Sequence, residues 1–224
     1  MTSALFQPIP QDPLYHLFAD RRTLFEIPNF WNVVSNIPFF LAALWGLRVL
    51  RLRNSFSEPW ERHAFALLVA GTAMVGAGST YYHLDPCDSR LFWDRLPMTV
   101  VFMCLLASTI RAGRYLLLPL VLTGLSSVIY WRFSSDLRLY ALVQFGCLLA
   151  VPVLLISCPS RYTGSAWIWG TLTLYVAAKL AEMFDRQISQ FITMGGHPLK
   201  HLAAAGAILV YEIGISRRRP KTYR

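Results

Sequence analysis

Seven apolar stretches, each close to the ~20 residues needed to cross a hydrocarbon core, recur along the 224-residue chain and leave little of it for anything else. They cover residues 30–47, 63–82, 91–110, 115–131, 137–156, 166–184 and 199–215, with Arg, Pro, Gly and Asp punctuating the gaps. Connections this short exclude a second domain between the spans. The pattern predicts an all-α membrane protein, a seven-transmembrane helix bundle over 28–216. An N-terminal loop or interfacial segment at 1–27 precedes it and a basic tail at 217–224 follows. Composition agrees, with 55% hydrophobic residues against about 45–50% in soluble domains.

A formal net charge of +9 would suit a nucleic-acid partner if it were striped along a polar domain. Here it lies in short connections and the tail, so no nucleic acid is expected and the charge reads as an orientation signal. Arg48, Arg51, Arg53, Arg62, Arg111, Arg114 and Arg161 share one side with Arg217, Arg218, Arg219 and Lys221. The other side holds Arg21, Arg22, Arg90, Arg132, Arg138 and Arg186, partly offset by Asp20, Asp85, Asp88, Asp136 and Asp185. This places the N-terminus outside and the C-terminus in the cytoplasm. The first residues have neither the basic region nor the apolar core of a secretory signal, so the first span is expected to direct insertion. Cys104 and Cys147 lie in apolar runs, and Cys87 and Cys158 fall on opposite sides, so no disulfide framework is expected.

Five polar residues reach one membrane depth, on the outer side. Ser79 and His83 are one turn apart near the end of the second span, and i and i+4 share a helix face. Asp94 lies in the first turn of the third span, just across a short connection. His197 and His201 repeat the i, i+4 spacing at the start of the seventh. Ionisable groups near hydrocarbon cost about 2.5–3.5 kcal/mol each and are rarely placed there without a partner or a task. Three imidazoles with this spacing suit zinc, three nitrogens leaving a fourth position for water. His63, twenty residues before His83, lies about 30 Å away and cannot join them. His16 is expected to be solvated or interfacial. The segment 1–27, with a short interfacial helix expected around 14–19, is either a solvated lead-in or a cover for the site.

Other polar residues keep two readings. Asn29, Asn32 and Asn36, with Ser35 beside them, mark a polar face on the first span, for helix packing or for a substrate groove. Lys179 and Glu182 in the sixth span, with Asp185 following at its outer end, form a neutralising pair, contact a headgroup or support a ligating imidazole. Lys200 lies between the two histidines, and Arg95 snorkels or pairs. A retinal-type reading from Lys200 and Asp94 is disfavoured because Lys200 sits at the entrance of its helix.

Three blocks resemble the alkaline ceramidase family, within the seven-transmembrane hydrolases that include the adiponectin and progestin receptors. They are Pro28-Asn29-Phe30-Trp31-Asn32-Val33-Val34-Ser35-Asn36; Gly78-Ser79-Thr80-Tyr81-Tyr82-His83 with Trp93-Asp94-Arg95-Leu96-Pro97-Met98; and Gly196-His197-Pro198-Leu199-Lys200-His201. The variants around them resemble the bacterial branch. The resemblance implies His83, His197 and His201 as zinc ligands, Ser79 and Asp94 as catalytic residues, and a membrane lipid as substrate. It further implies a bacterial inner membrane with the site near the periplasmic side. Eukaryotic members bind calcium through an upstream acidic cluster and a Glu ahead of Phe-Trp-Asn. Asn29 stands in that place here, which counts against calcium and against ceramide itself. The expectation is a zinc-dependent lipid amidohydrolase; the alternative is a non-enzymatic lipid receptor or scaffold with a structural zinc.

Overall fold

A computed structural model describes residues 7–52, 55–158 and 160–221. Arg53, the first six residues and the last three residues of the tail lie outside the described residues.

Among the described residues a 3-10 turn, Pro13–His16, precedes nine helical segments. These are α1 Phe30–Val34, α2 Ile37–Val49, α3 Pro59–Leu84, α4 Asp88–Thr109, α5 Gly113–Ser134, α6 Arg138–Ser157, α7 Ala166–Met183, α8 Asp185–Ile188 and α9 Gly196–Arg217. Six stretches are long and apolar enough to cross a membrane: α1 and α2 taken together, α3, α4, α5, α6 and α9. The helix α7 stands where the sixth apolar stretch was expected, and Lys179 and Glu182 make it more polar. Large apolar side chains such as Leu142, Leu149 and Ile156 on α6 point outward, an apolar surface suited to lipid.

The first apolar stretch, expected as one helix, is broken at Ser35–Asn36. Pro38 opens the second piece and cannot donate a backbone bond to the turn before it. Side chains take over there: Asn36 Nδ2 bonds the carbonyls of Asn32 at 2.8 Å and Val33 at 3.3 Å, and the Ser35 hydroxyl donates to Asn32 at 3.2 Å. The other spans fall where the hydropathy puts them, with α3 longer at both ends.

The tightest packing joins α3 to α4 and α7 to α9, and α2, packed against both α3 and α9, brings the second and third apolar stretches to the seventh. A Cβ on Gly78 would collide with the Trp93 carbonyl and come within 3.3 Å of the Asp94 Cα. That carbonyl belongs to the residue four before Pro97 and so lacks its usual helical donor. Glycine and proline together let α3 and α4 touch beside Asp94.

The main apolar core runs along the bundle through Phe39, Leu68, Val75, Met103, Val151 and Tyr211. A smaller cluster at one end joins Phe18 to Tyr82, Leu91, Val128, Trp131 and Tyr140. The N-terminal segment is therefore packed on the bundle rather than solvated, and its turn is shorter and earlier than the helix expected at 14–19. All four cysteines are free thiols.

Candidate metal centre

His83 closes α3, while His197 and His201 occupy the first two turns of α9. The three are buried, their ring centroids are 4.9 Å apart in every pair, and one ligand atom from each lies within 4.8 Å of the others. Residues more than a hundred positions apart thus meet at one point, where they could hold a metal ion. Both ring nitrogens of His83 and Nε2 of His197 are buried without a hydrogen-bond partner. Buried polar atoms are normally bonded, so this donor set fits a cation that would take up the free lone pairs.

The start of α9 is held by Asp185. Its Oδ1 accepts from the His197 backbone N–H at 2.8 Å, and its Oδ2 accepts from Ala19 at 2.8 Å. One carboxylate thereby caps the histidine helix and ties down the N-terminal segment. Phe18, carried by that segment, lies 4.7 Å from the His83 ring and 4.4 Å from that of His197. Of the two readings for the lead-in, the structure favours the cover.

Ser35 is the orienting residue that sequence reasoning passed over. Its hydroxyl donates to the Asn32 carbonyl and lies 2.8 Å from His201 Nδ1. With the hydroxyl proton committed, the oxygen accepts from Nδ1–H, which leaves Nε2 as the free lone pair. The polar face of the first span could have signalled this, since it lies at the depth of the histidines. Its asparagines bond backbone: Asn29 Nδ2 to the His83 carbonyl at 2.9 Å, Asn32 Nδ2 to that of Asp20 at 3.0 Å, and Asn36 Nδ2 to carbonyls of α1.

Ser79 Oγ lies 3.5 Å from His201 Nε2 and faces the Asp94 carboxyl. Both residues are buried, and both line an apolar slot of about 100 Å³ that runs between α3, α4, α6, α7 and α9. Phe102, Leu105, Leu148 and Val151 form its walls, and His201 and Lys200 stand at its head. A second, polar cavity of about 310 Å³ adjoins it, also reached by Asp94 and Lys200. There Glu182 bridges Lys200 at 2.6 Å and Lys179 at 2.7 Å and accepts from the Tyr15 hydroxyl at 3.1 Å. The sixth-stretch pair is thus a triad with Lys200, which lies between His197 and His201 on α9.

His63 stands in the first turn of α3, at the far end of the bundle from the other three. His16 is half-buried, 2.9 Å from the Tyr82 hydroxyl and 3.2 Å from Asp88. Of the upstream acids, Asp20 is paired with Arg22 at 2.5 Å and Glu26 sits on an exposed turn.

No match was found among the curated proteins compared with the chain. The family model described as Ceramidase matches residues 24–211, which takes in the Asn29–Asn36 block, Ser79, His83, Asp94, His197 and His201. A match over most of the length, enclosing every residue of the histidine centre, means that the chain belongs to the ceramidase family.

Proposed function

We propose that the protein is a zinc-dependent intramembrane hydrolase that cleaves the amide bond of a ceramide-like lipid. The observation that carries this is the convergence of three imidazoles, two of them with unpartnered ring nitrogens, beside a buried hydroxyl and carboxylate, at the head of an apolar slot. Family membership supports hydrolysis of a lipid amide. Three nitrogens are the donor set of a catalytic zinc, which would be held by His83, His197 and His201. Bound there, zinc would supply Lewis acidity and lower the pKa of water from 15.7 to about 7.

The chain's own residues do the rest. The slot takes the acyl chain and keeps bulk water from the scissile carbonyl. Asp94 accepts a proton from the attacking water and later gives one to the departing nitrogen, so that a fatty acid and an amine leave. Ser79 donates a hydrogen bond to the oxygen on which charge develops, an effect typically worth about 2.7–4 kcal/mol. Ser35 and Asp185 hold the imidazole-bearing backbone and rings in place.

The same reading takes α7 as a seventh span, with the histidine end facing outward and the basic end in the cytoplasm of a bacterial inner membrane. The basic residues at the far end, Arg111, Arg161 and Arg218, support that orientation. The test is fatty-acid release from a panel of lipid amides by purified protein. Wild type should cleave at least one, and Asp94→Asn should slow it about 10²–10⁴-fold while zinc stays bound. A zinc-loaded wild type that cleaves none of them would leave a receptor or scaffold.

A further inference from the structure

The polar cavity holds a charge with which no carboxylate among the described residues forms an ion pair. Arg95 is buried, the faces of Trp131 and Tyr140 lie 4.4 Å and 4.7 Å from its guanidinium carbon, and Tyr15 is 5.5 Å away. Its Nη2 donates to Gln11 Oε1 at 2.6 Å, but its Nη1 is buried with no partner. Among the described residues no carboxylate forms an ion pair with it. The acids that share its cavity make their hydrogen bonds elsewhere, Glu182 with Lys179, Lys200 and Tyr15, and Asp94 with Ser79, the Asp94 charge being felt by Lys200 as well as by Arg95. Three cations, Arg95, Lys179 and Lys200, thus line this cavity against two carboxylates. Burying a guanidinium is costly, and ring faces return only part of what water supplied. A planar fork with a free N–H arm matches the two oxygens of a carboxylate or phosphate.

The two cavities meet at Asp94 and Lys200. An amide held at that junction sends its acyl half down the apolar slot and its amine half into the cavity of Arg95. We infer that the amine half of the substrate carries an oxyanion, a carboxylate or a phosphate, which Arg95 receives through its free Nη1. This rests on the hydrolase reading for the cleavage but not for the binding. A neutral diol would hydrogen-bond there and leave the extra positive charge unanswered.

The test uses the full-length protein in detergent and three amides with one acyl chain: N-palmitoylethanolamine, its phosphate ester, and N-palmitoylglycine. Turnover and, by native mass spectrometry, binding of the intact amide are measured for each. Wild type should favour one or both anionic amides over the neutral one by about 10–100-fold in kcat/KM, the worth of one charged hydrogen bond. Whether phosphate or carboxylate leads identifies the head. Arg95→Gln should bring the anionic-to-neutral ratio close to one, and Arg95→Lys should retain part of it. A wild type that treats the three alike overturns the inference without any variant, as does an unchanged ratio in Arg95→Gln. Anionic preference in binding with no cleavage of any amide would support the head assignment and defeat the hydrolase reading. Cleavage without preference would do the reverse.

Discussion

The two ends of the bundle bury polar groups in opposite ways. At the basic end the charged groups around Glu58 and Glu61 are matched, although the Glu212 carboxylate, one to two turns inside that end of α9, is buried without a partner. Glu61 accepts from Arg218 at 3.2 Å, from the Ser57 N–H at 3.0 Å and from the Tyr162 hydroxyl, while Glu58 accepts from Arg161 at 2.8 Å and Trp60 at 3.1 Å. At the histidine end the nitrogens of His83, Nε2 of His197 and Nη1 of Arg95 have no partner. An unmatched buried polar group costs roughly 1–3 kcal/mol, so a fold that gathers most of its unpartnered groups at the histidine end concentrates that cost where a ligand would relieve it. The basic end is a clamp and the histidine end a site.

The largest effect that contrast predicts is at His83. His83→Ala should take bound zinc, measured by elemental analysis of purified protein, from about one equivalent to near zero, and amide hydrolysis to background. A variant that keeps its zinc would break the comparison, because the unpartnered imidazole would then have no ligand to explain it. At the clamp, Arg218→Met should instead leave zinc content unchanged and lower thermal stability in detergent. The loss should be about 1–3 kcal/mol, less than for a fully buried pair, because the pair is part-buried and Ser57 and Tyr162 still serve Glu61. Zinc loss in Arg218→Met would show that the ends are coupled. Smaller again is Ser35→Ala, which removes the oxygen 2.8 Å from His201 Nδ1 and should weaken zinc binding about 10–100-fold. A competition titration with a zinc chelator reads this directly, and an unchanged affinity would limit Ser35 to repairing the break before Pro38.

Much of this contrast is legible in the sequence, for reasons that differ by residue. Apolar runs of fixed length mark the helices because lipid demands them, and i, i+4 spacing puts Ser79 over His83 and His197 over His201. Depth matching then brings both pairs and Asp94 to one level. What the pattern hides is contact. Nothing in the composition of 1–27 tells that Phe18 lies 4.4 Å from the His197 ring, because a single phenylalanine among prolines and charges has no period. The break at Ser35–Asn36 is masked by the high mean hydropathy of residues 30–47, which absorbs Asn32, Ser35 and Asn36 and counts Pro38 as a minor interruption while the backbone loses a donor there. From the sequence Arg95 reads as a side chain that snorkels or pairs. Its aromatic cage comes from Trp131, Tyr140 and Tyr15, which only the packing of α4, α5, α6 and the N-terminal segment assembles.

The cover over the histidines is itself fastened in the manner of the clamp, which gives the smallest predicted effect and the finest test of the contrast. Asp136, in the connection before α6, takes Arg138 Nε at 2.9 Å and Nη2 at 2.6 Å, and its Oδ1 accepts from the Ile9 N–H at 3.4 Å. The Ile9 carbonyl in turn accepts from Leu137 at 2.9 Å. The bonds from Arg138 hold the Asp136 carboxyl down to about 2, below the usual value near 4. A carboxyl with a depressed folded pKa contributes stability that is complete above about 4 and is lost as pH falls towards about 2. Hydrogen exchange at the Leu137 amide, corrected for the intrinsic pH dependence, should therefore accelerate severalfold between pH 5 and pH 2.5, and in Asp136→Asn it should be fast at both. Exchange that is equally slow at the two pH values in wild type would mean that Asp185 and Phe18 alone hold the segment, so that the cover depends on the site it covers and not on a separate matched fastening.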